Sequence, residues 1–345
     1  MDSSIAAILL LDGATNGIIY GLIAIALVLV FAVTRILFIP QGEFVAWGAL
    51  TLAMLQQGQI PGPVWLLALL ALCATGMEVT ALVRSGQTAG ITRAVIKNLL
   101  LPLLIVALLC WAAPKQFPLP VQVGLTLLLI TALGPLMYQV IYESLADSSV
   151  LLLLIVSVGV HLAMTGLGLI FFGAEGFRTP AFWDSRWNLA SVTLSGQTLV
   201  VILTALILLI ALWLISERTL YGKALRATAV NRLGARLMGI STTLAGKLSF
   251  SVAALIGGLS GVLIGPISTI FYDSGFLIGL KGFVAATIGG LASFPLAAAG
   301  ALFVGLLESF SSFWASDYKE VIVFLSLLPV LLWRSFSAVH DEDEE

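Results

Sequence analysis

A few polar side chains interrupt the long apolar stretches of this chain, and their chemistry needs an explanation. Some are ionisable and some carry amides, and all lie in or beside stretches that a lipid bilayer could surround. An ionisable side chain near the bilayer centre costs about 3 kcal/mol on insertion scales, so it needs a partner or water. We therefore predict that the following residues line a pathway or form a gate: Asn16, Gln41, Gly42, Glu43 and Glu308.

The two carboxylates in this set admit different interpretations. Glu43 follows Pro40 at the start of an apolar segment, where the helix dipole favours a carboxylate, so a helix-cap role competes with a gate role. Glu308 lies deeper in its segment, and we expect it to face other helices and to pair across them. Lys281 is close enough to the end of its segment for its ammonium group to reach water by snorkelling.

No residue pattern predicts catalysis or a metal site. His161 lies in an apolar stretch, where we expect a hydrogen-bonded core residue, and His340 lies far away in the tail. Cys73 and Cys110 also fall in apolar stretches and are expected to be buried packing residues. The phosphate-binding loop GxxxxGK[ST] does not occur in the sequence. We expect no catalytic residue, no metal and no cofactor on this chain, so any ATP would bind to another chain.

The composition is that of a protein whose main solvent is lipid. Hydrophobic residues make up 60% of the 345 residues and charged residues only 10%, with a mean hydropathy of +1.10. Soluble domains carry about 25% charged residues. So few polar side chains could not cover the surface of a water-soluble protein of this length. We predict an all-α fold, a polytopic bundle of transmembrane helices.

The positions of the apolar stretches predict the spans. A span needs about 20 mainly apolar residues. The segments 41–57 and 277–293 are short and contain glycine, so either could be a broken or re-entrant helix. We predict one transmembrane domain over 1–345 with roughly 8–11 spans. The candidate spans are 15–34, 41–57, 62–82, 93–113, 119–141, 150–172, 197–216, 247–265, 277–293, 295–313 and 320–334.

The distribution of lysine and arginine predicts the orientation. The segment 217–247 holds six of the sixteen basic residues, and cytoplasmic loops are enriched in lysine and arginine. With that segment inside, the N-terminus is outside and the acidic tail 341–345 is cytoplasmic. The N-terminus has no basic stretch before its first apolar run, so we expect no cleaved signal peptide. The other basic residues that fall on the inner side are Arg35, Arg84, Arg93, Lys97 and Arg334.

Glycines recur every four residues in two of the candidate spans. Residues four apart share one face of a helix, and glycine there lets two helix backbones approach closely. Both helices should therefore be buried in the bundle. The glycines are Gly13, Gly17 and Gly21 in the first span, and Gly257, Gly261 and Gly265 in the eighth.

The basic segment 217–247 also has an apolar pattern. Leu225, Ala229, Leu233 and Leu237 lie four apart and predict one apolar stripe. Because Gly234 interrupts the pattern, short helical pieces around 231–234 fit better than one long surface helix. Such pieces could insert into a groove on a cytoplasmic partner. A solvated loop without a partner would explain the charges but not the alternating leucine, alanine and glycine.

The segment Gly222–Ile240, followed by Gly257–Gly265 and preceded by the turn Gln41-Gly42-Glu43-Phe44, resembles the permease subunits of branched-chain amino acid ABC importers of the LivH type. The resemblance covers roughly 1–57 and 138–334. As a set the motifs are fairly specific, although each alone is weak. They are Asn16-Gly17-Ile-Ile-Tyr20, Gln41-Gly42-Glu43-Phe44, Gly173-Ala-Glu-Gly-Phe177, Gly222–Ile240, Gly257–Gly265, Gly275–Phe283 and Gly289-Gly290.

The chain departs from the family pattern at two places. Phe38 and Pro40 stand where the family has asparagine and alanine before its glycine-glutamate turn. Any contact that the family makes through that asparagine is therefore in doubt in this chain. The stretch at about 60–135 is also longer than usual, which indicates a possible insertion of extra spans.

The resemblance implies a transport subunit, not an enzyme, with a type II ABC-importer permease-like bundle in a bacterial inner membrane. Its expected partners are the lipid bilayer, a homologous second permease subunit, a periplasmic substrate-binding protein and two ATPase subunits that carry the ATP; no nucleic acid is expected. The segment at about 217–247 becomes the cytoplasmic coupling loop. The expected contacts with an ATPase are Ala224, Arg226, Asn231, Gly234 and Leu237.

Alternatives remain at this point. Within the superfamily, the substrate could be urea or a short amide instead of a branched-chain amino acid. A stand-alone secondary transporter would need deep, paired charges for ion coupling, and the sequence offers few candidates. A scaffold without transport activity would leave the coupling-like segment unexplained.

Overall fold

A computed structural model describes residues 3–86, 90–189, 192–291 and 293–332 of the chain. Outside the described residues lie Arg334, His340 and the acidic tail 341–345. The chain divides into two units. The first contains the described residues of Met1–Val28, Ala181–Ile210 and Leu277–Glu345, and the second contains those of Leu29–Pro180 and Ala211–Phe276.

Helices make up most of the described chain, together with one two-stranded antiparallel hairpin. Two helices continue through π-helical turns, at Ile96–Leu100 and Tyr138–Tyr142. The strands are β1 (Arg186–Leu189) and β2 (Val192–Ser195). The helices are α1 (Ser3–Thr34), α2 (Gln41–Gln56), α3 (Pro63–Arg84), α4 (Ile91–Val95), α5 (Leu101–Ala112), α6 (Leu119–Met137), α7 (Val150–Phe172), α8 (Gly196–Arg218), α9 (Leu220–Val230), α10 (Arg232–Leu237), α11 (Thr242–Ile264), α12 (Ser274–Ile288), α13 (Phe294–Trp314) and α14 (Lys319–Leu325).

The predicted class, a polytopic helical membrane protein, is confirmed. Within the described residues, eight helices are long and apolar enough to cross a membrane. Two candidate spans are short, as their glycine-containing segments indicated. α2 and α12 have 16 and 15 residues, which is below the length that a full span needs. α14 is interrupted at Ser326, because Pro329 cannot donate a hydrogen bond to the carbonyl of Leu325, and residues 327–332 are helical again.

Two further expectations need correction. The first helix does not begin near residue 15 but at Ser3, because the apolar residues before the exposed Asp12 continue the helix. Asn16 is therefore near the middle of α1 and not early in it. Cys73 is exposed and Cys110 only half-buried, since both lie on helix faces that a lipid environment can cover without cost.

The core of the second unit is built around α2, in which 14 of 16 residues are buried. The parallel helix α11 packs against it through glycines. A Cβ atom at Gly257 would lie 2.7 Å from Cβ of Phe44, and one at Gly261 would lie 2.0 Å from the carbonyl oxygen of Val45. Gly257 lies well past the middle of the 23-residue helix α11, and Gln41, the first residue of α2, lies beside it. α2 therefore begins partway through the span.

The core of the first unit pairs α1 with α13, again through glycines. Gly13 and Gly17 lie against the backbones of Leu306 and Leu302, at 2.9 Å from where their Cβ atoms would be. Gly305 of α13 lies equally close to the backbone of α1, since its Cβ would lie 2.4 Å from the carbonyl oxygen of Gly13. Gly21 has a looser contact, 3.6 Å from Ala301. Close backbone approach thus holds α1 against α13.

The α2–α11 contact gives a testable prediction. Gly261→Ala should destabilise the protein by about 1–3 kcal/mol, because the added methyl group meets the backbone of α2. Gly124→Ala on α6 is the matched control, since nothing lies within 4 Å of its Cβ position and alanine favours a helix. Thermal unfolding in detergent, followed by size-exclusion chromatography, measures both. Equal midpoints for the two variants would contradict the packing argument.

Candidate functional site

The first cluster forms where α2 begins inside the second unit. α1 ends at Thr34, and Arg35 adopts a left-handed backbone conformation, with φ 61°, that turns the chain away from the helix. Pro40 then precedes α2, and the Nε2 group of Gln41 donates a hydrogen bond to the carbonyl of Ala253 on α11 at 2.9 Å. These contacts fix the start of α2 and hence the position of Glu43.

Glu43 is fully buried and lies against a histidine. Its Oε1 atom is 3.0 Å from Nδ1 of His161, which lies in the middle of α7 and is 8% exposed. A buried carboxylate needs a hydrogen-bonding or charged partner, and His161 supplies it. The first turn of α2 also favours the carboxylate through the helix dipole. Glu43 therefore combines the position of a helix-start residue with a bond between two helices.

The start of α12 meets the same point. A Cβ atom at Gly275 would lie 2.6 Å from the carbonyl oxygen of Gly42 and 2.9 Å from Oε2 of Glu43, so only glycine fits. The next residue, Phe276, stacks on the ring of His161 with 4.5 Å between ring centroids. The N-terminal ends of two short helices thus converge on one carboxylate. In membrane transporters such broken helices commonly mark the place where a solute or ion is held.

Polar groups continue along α2 on the face that carries Glu43. Trp47 and Thr51 follow at intervals of four residues, and both are fully buried. Neither Nε1 of Trp47 nor Oγ1 of Thr51 has a hydrogen-bond partner among the described residues. A Cβ atom at Gly168 of α7 would lie 3.3 Å from Nε1 of Trp47 and 3.4 Å from the carbonyl oxygen of Tyr272. A side chain at this position would press on both groups, and glycine keeps the unpaired donor and the backbone acceptor free of one.

A second cluster lies in the first unit around Lys281. Its ammonium group is 2.6 Å from Glu308 and 3.1 Å from Glu320, and the side chain of Lys281 is 7% exposed. The hydroxyl of Tyr20 donates to the other oxygen of Glu308 at 2.5 Å. The prediction that Lys281 snorkels is wrong, because two carboxylates hold its ammonium group inside the protein. Glu308 does pair across helices.

The predicted pathway and gate residues thus separate into groups. Gln41, Gly42 and Glu43 lie together at the start of α2, and Glu308 lies in the other unit. Asn16 is half-buried on α1 and is not part of the contact between Tyr20 and Glu308.

A third feature is the elbow, residues 219–240. The hydroxyl of Thr219 caps α9 by accepting a hydrogen bond from the amide of Gly222. Asn231 breaks the helix with extended backbone angles and then caps α10, accepting a hydrogen bond from the amide of Gly234 at 2.8 Å. The segment therefore forms two short helices around 231–234, as predicted. The single stripe from Leu225 to Leu237 is wrong, because the break at Asn231 splits it.

The elbow presents an apolar surface and an open groove of about 540 Å³. Leu233 and Leu237 are 68% and 80% exposed, while Ala224 and Gly234 are half-buried. Arg226 pairs with Glu217 at 2.5 Å. Of the predicted contact residues, three line the groove and Leu237 projects beside it. Those three are Arg226, Asn231 and Gly234.

Arginines and a lysine fasten the elbow region to the rest of its unit. Arg232 donates to the carbonyl of Ala146 at 2.7 Å, and Lys247 lies 3.0 Å from Glu143. Ala146 and Glu143 belong to the connection that leads into α7. A force applied to the elbow would therefore reach the start of α7 through these contacts.

Sequence reasoning missed two sets of partners. It treated His161 as an isolated core residue, and nothing in the spacing of His161 and Glu43 links them. It also passed over Glu78 in α3, which accepts hydrogen bonds from Asn98 and Gln139. Both amides lie on the π-helical turns. Glu78, like Glu43 and Glu308, is an ionisable residue inside a candidate span, and its type and position could have identified it.

Residues 9–331 match the family described as "Branched-chain amino acid transport system / permease component". The chain is 30% identical over 214 residues to the high-affinity branched-chain amino acid transport system permease protein LivH of Escherichia coli (strain K12), covering 60% of this chain and 69% of that protein.

Two further relatives are more distant. The permease protein BraD of Pseudomonas aeruginosa is 28% identical over 218 residues, which cover 61% of this chain and 70% of BraD. A probable LivH of Methanocaldococcus jannaschii is 26% identical over 231 residues, which cover 63% of this chain and 71% of that protein. No solved structure gives a significant match.

The Glu43–His161 contact gives the second prediction. His161→Leu should lower stability by about 3–5 kcal/mol, because it leaves a buried carboxylate without its partner. Combining it with Glu43→Gln should recover most of that loss, since the double variant buries no charge there. Thermal unfolding of the purified protein measures the cycle. If the single and double variants unfold at the same temperature, the contact does not stabilise the fold.

The Lys281 cluster gives the third prediction. Lys281→Met should destabilise the protein by about 3 kcal/mol, because Glu308 and Glu320 lose their shared cation. Lys223→Met, at an exposed position in the elbow, is the control and should change little. The readouts are the amount of folded protein in membranes and its thermal midpoint. If both variants have the thermal midpoint of the parent, the cluster does not stabilise the fold.

Proposed function

Because the chain belongs to the family of branched-chain amino acid transport system permease components, we propose that it is the permease subunit of an ATP-driven importer and forms part of the translocation pathway for branched-chain amino acids. The relatives named above support this substrate class through their names. The eight apolar helices agree with a multi-pass membrane subunit.

The observation that carries the proposal is the elbow. It offers an open groove with Arg226 on its wall and exposed leucines beside it, a combination suited to a protein partner. A solvated loop would have no use for side chains such as Leu237 and Met238, which are 80% and 83% exposed. We assign the elbow to the surface of an ATPase subunit. ATP can drive transport only through contacts that differ between the two states of the permease, and the elbow supplies those contacts.

Orientation and the remaining partners belong to the same proposal. The concentration of basic residues in 217–247 supports a cytoplasmic elbow, an external N-terminus and a cytoplasmic C-terminus in a bacterial inner membrane. A homologous second permease subunit would complete the pathway, two ATPases would bind ATP, and a periplasmic protein would deliver the substrate. This chain itself would bind no cofactor.

The deep ion pairs do not favour a stand-alone transporter over this proposal. Glu43–His161 and Lys281–Glu308 are deep pairs of ionisable side chains, of the kind that ion coupling would need. Each pair also links separate helices, a structural role that buried pairs can have without ion coupling. Family membership favours the importer subunit.

The fourth prediction tests the elbow. Leu237→Glu should reduce leucine uptake at least about tenfold, because burying an unpaired carboxylate in the interface costs more than about 1.4 kcal/mol. Arg226→Glu should act in the same direction by reversing the charge on the groove wall. The measurements are uptake of radiolabelled leucine by cells with the complete transporter, and co-purification of the ATPase with this chain.

Ile60→Glu is the control, because Ile60 is exposed in the turn between α2 and α3, on the side predicted to face away from the cytoplasm. It should leave ATPase binding intact. Retention of the ATPase and of uptake in both elbow variants would rule out the elbow as the docking surface. Loss of the ATPase in Ile60→Glu as well would indicate general misfolding.

A further inference from the structure

We propose that the junction of α2, α7 and α12 in the second unit is a binding subsite for the zwitterionic end of an amino acid, with Phe276 as a movable wall. The inference rests on the proposed function and deepens it, because it assigns a substrate contact to particular atoms of this chain. The residues assigned to the subsite are Glu43, Trp47, His161, Tyr272 and Phe276.

Burial at the junction is layered. Phe276 is 38% exposed, His161 behind it is 8% exposed, and Glu43 behind His161 is fully buried. On this side, the stacked rings of Phe276 and His161 therefore lie between the chain surface and the carboxylate. Asp273, just before α12, is exposed on the approach and would attract a cationic group. Rotation of the Phe276 side chain would open the junction from this side.

The junction also contains a donor that lacks a partner. Nε1 of Trp47 is buried and makes no hydrogen bond to the described residues. Buried N–H groups are almost always satisfied, so this donor indicates a partner that the chain alone does not supply. The Cβ position of Gly168 lies 3.3 Å from this donor and 3.4 Å from the carbonyl oxygen of Tyr272, so no side chain separates these two groups. A ligand group that enters when Phe276 rotates would meet one donor and one acceptor.

An amino acid matches this set of groups. Its ammonium group donates hydrogen bonds, which the carboxylate of Glu43 and the carbonyl of Tyr272 can accept. Its carboxylate accepts, which suits the Trp47 N–H and the positive N-terminal end of the 15-residue helix α12. A simple cation would leave Trp47 without a partner, and a simple carboxylate would face Glu43 without compensation. The ring of Phe276 provides an apolar surface for the rest of the molecule.

The experiment measures whether leucine protects the junction from chemical labelling. The complete transporter is reconstituted in nanodiscs with Cys73 and Cys110 replaced by alanine. Ser274→Cys, at the first residue of α12, places a half-buried thiol beside the junction. Ser268→Cys is the matched control, because it is also a half-buried serine in the connection between α11 and α12. A water-soluble maleimide labels each thiol with and without leucine.

We expect leucine to slow labelling of Ser274→Cys and to leave Ser268→Cys unchanged. Leucinol, which lacks the carboxylate, and 4-methylpentanoate, which lacks the ammonium group, should each protect at least about tenfold less well, as loss of a buried charge-assisted hydrogen bond predicts. Trp47→Phe should raise the leucine concentration for half-protection by a similar factor. Trp65→Phe, at an exposed position on α3, should not change it.

Three results would overturn the inference: equal labelling rates with and without leucine, equal protection by leucinol and leucine, or no effect of Trp47→Phe on protection. The uptake assay separates this inference from the proposed function. Leucine uptake without protection would reject the subsite and leave the importer intact. Protection without leucine uptake would support the subsite and reject the proposed transport function.

Discussion

A carboxylate sealed from water needs a partner, and Glu43 imposes this requirement on the second unit. The side chain sits at the start of α2, partway through the span, where neither lipid nor bulk water can solvate its charge. His161 of α7 provides the partner, and Gly275 allows α12 to begin beside it. The glycines of α11 let α2 lie deep enough in the unit for these contacts to form.

The same constraint explains why short helices occur in a fold built mostly from long ones. A helix that starts inside the membrane leaves amide groups without intrahelical partners, and such ends are tolerated only where protein or a cavity satisfies them. At the start of α2, backbone carbonyls satisfy these groups: the amide of Gln41 donates to the carbonyl of Phe38, and the amide of Glu43 donates to that of Pro40. The elbow solves the problem differently, with Thr219 and Asn231 capping helix starts through their own side chains.

Local features of the sequence predicted much of the fold, but they could not predict contacts between residues far apart in the chain. Hydropathy located the spans, and the spacing around Asn231 predicted the two helices of the elbow. Pro329 is a local signal for the interruption of the last span at Ser326. His161 and Glu43, or Lys281 and Glu320, have no such signal, because their meeting depends on how separate helices pack. For Glu43 the sequence offers one indirect indication. No lysine or arginine lies three or four residues away on its own helix, so its partner has to come from another helix.

The proposed mechanism requires that ATP, not an ion gradient, drives transport through this chain. The most direct test is leucine uptake into proteoliposomes that contain this chain, its permease partner and the ATPases, with the periplasmic binding protein added. We predict that uptake depends on ATP on the ATPase side and on the binding protein, and that a protonophore leaves it unchanged. Leucine uptake by this chain alone, driven by a proton or sodium gradient without ATP, would contradict the account.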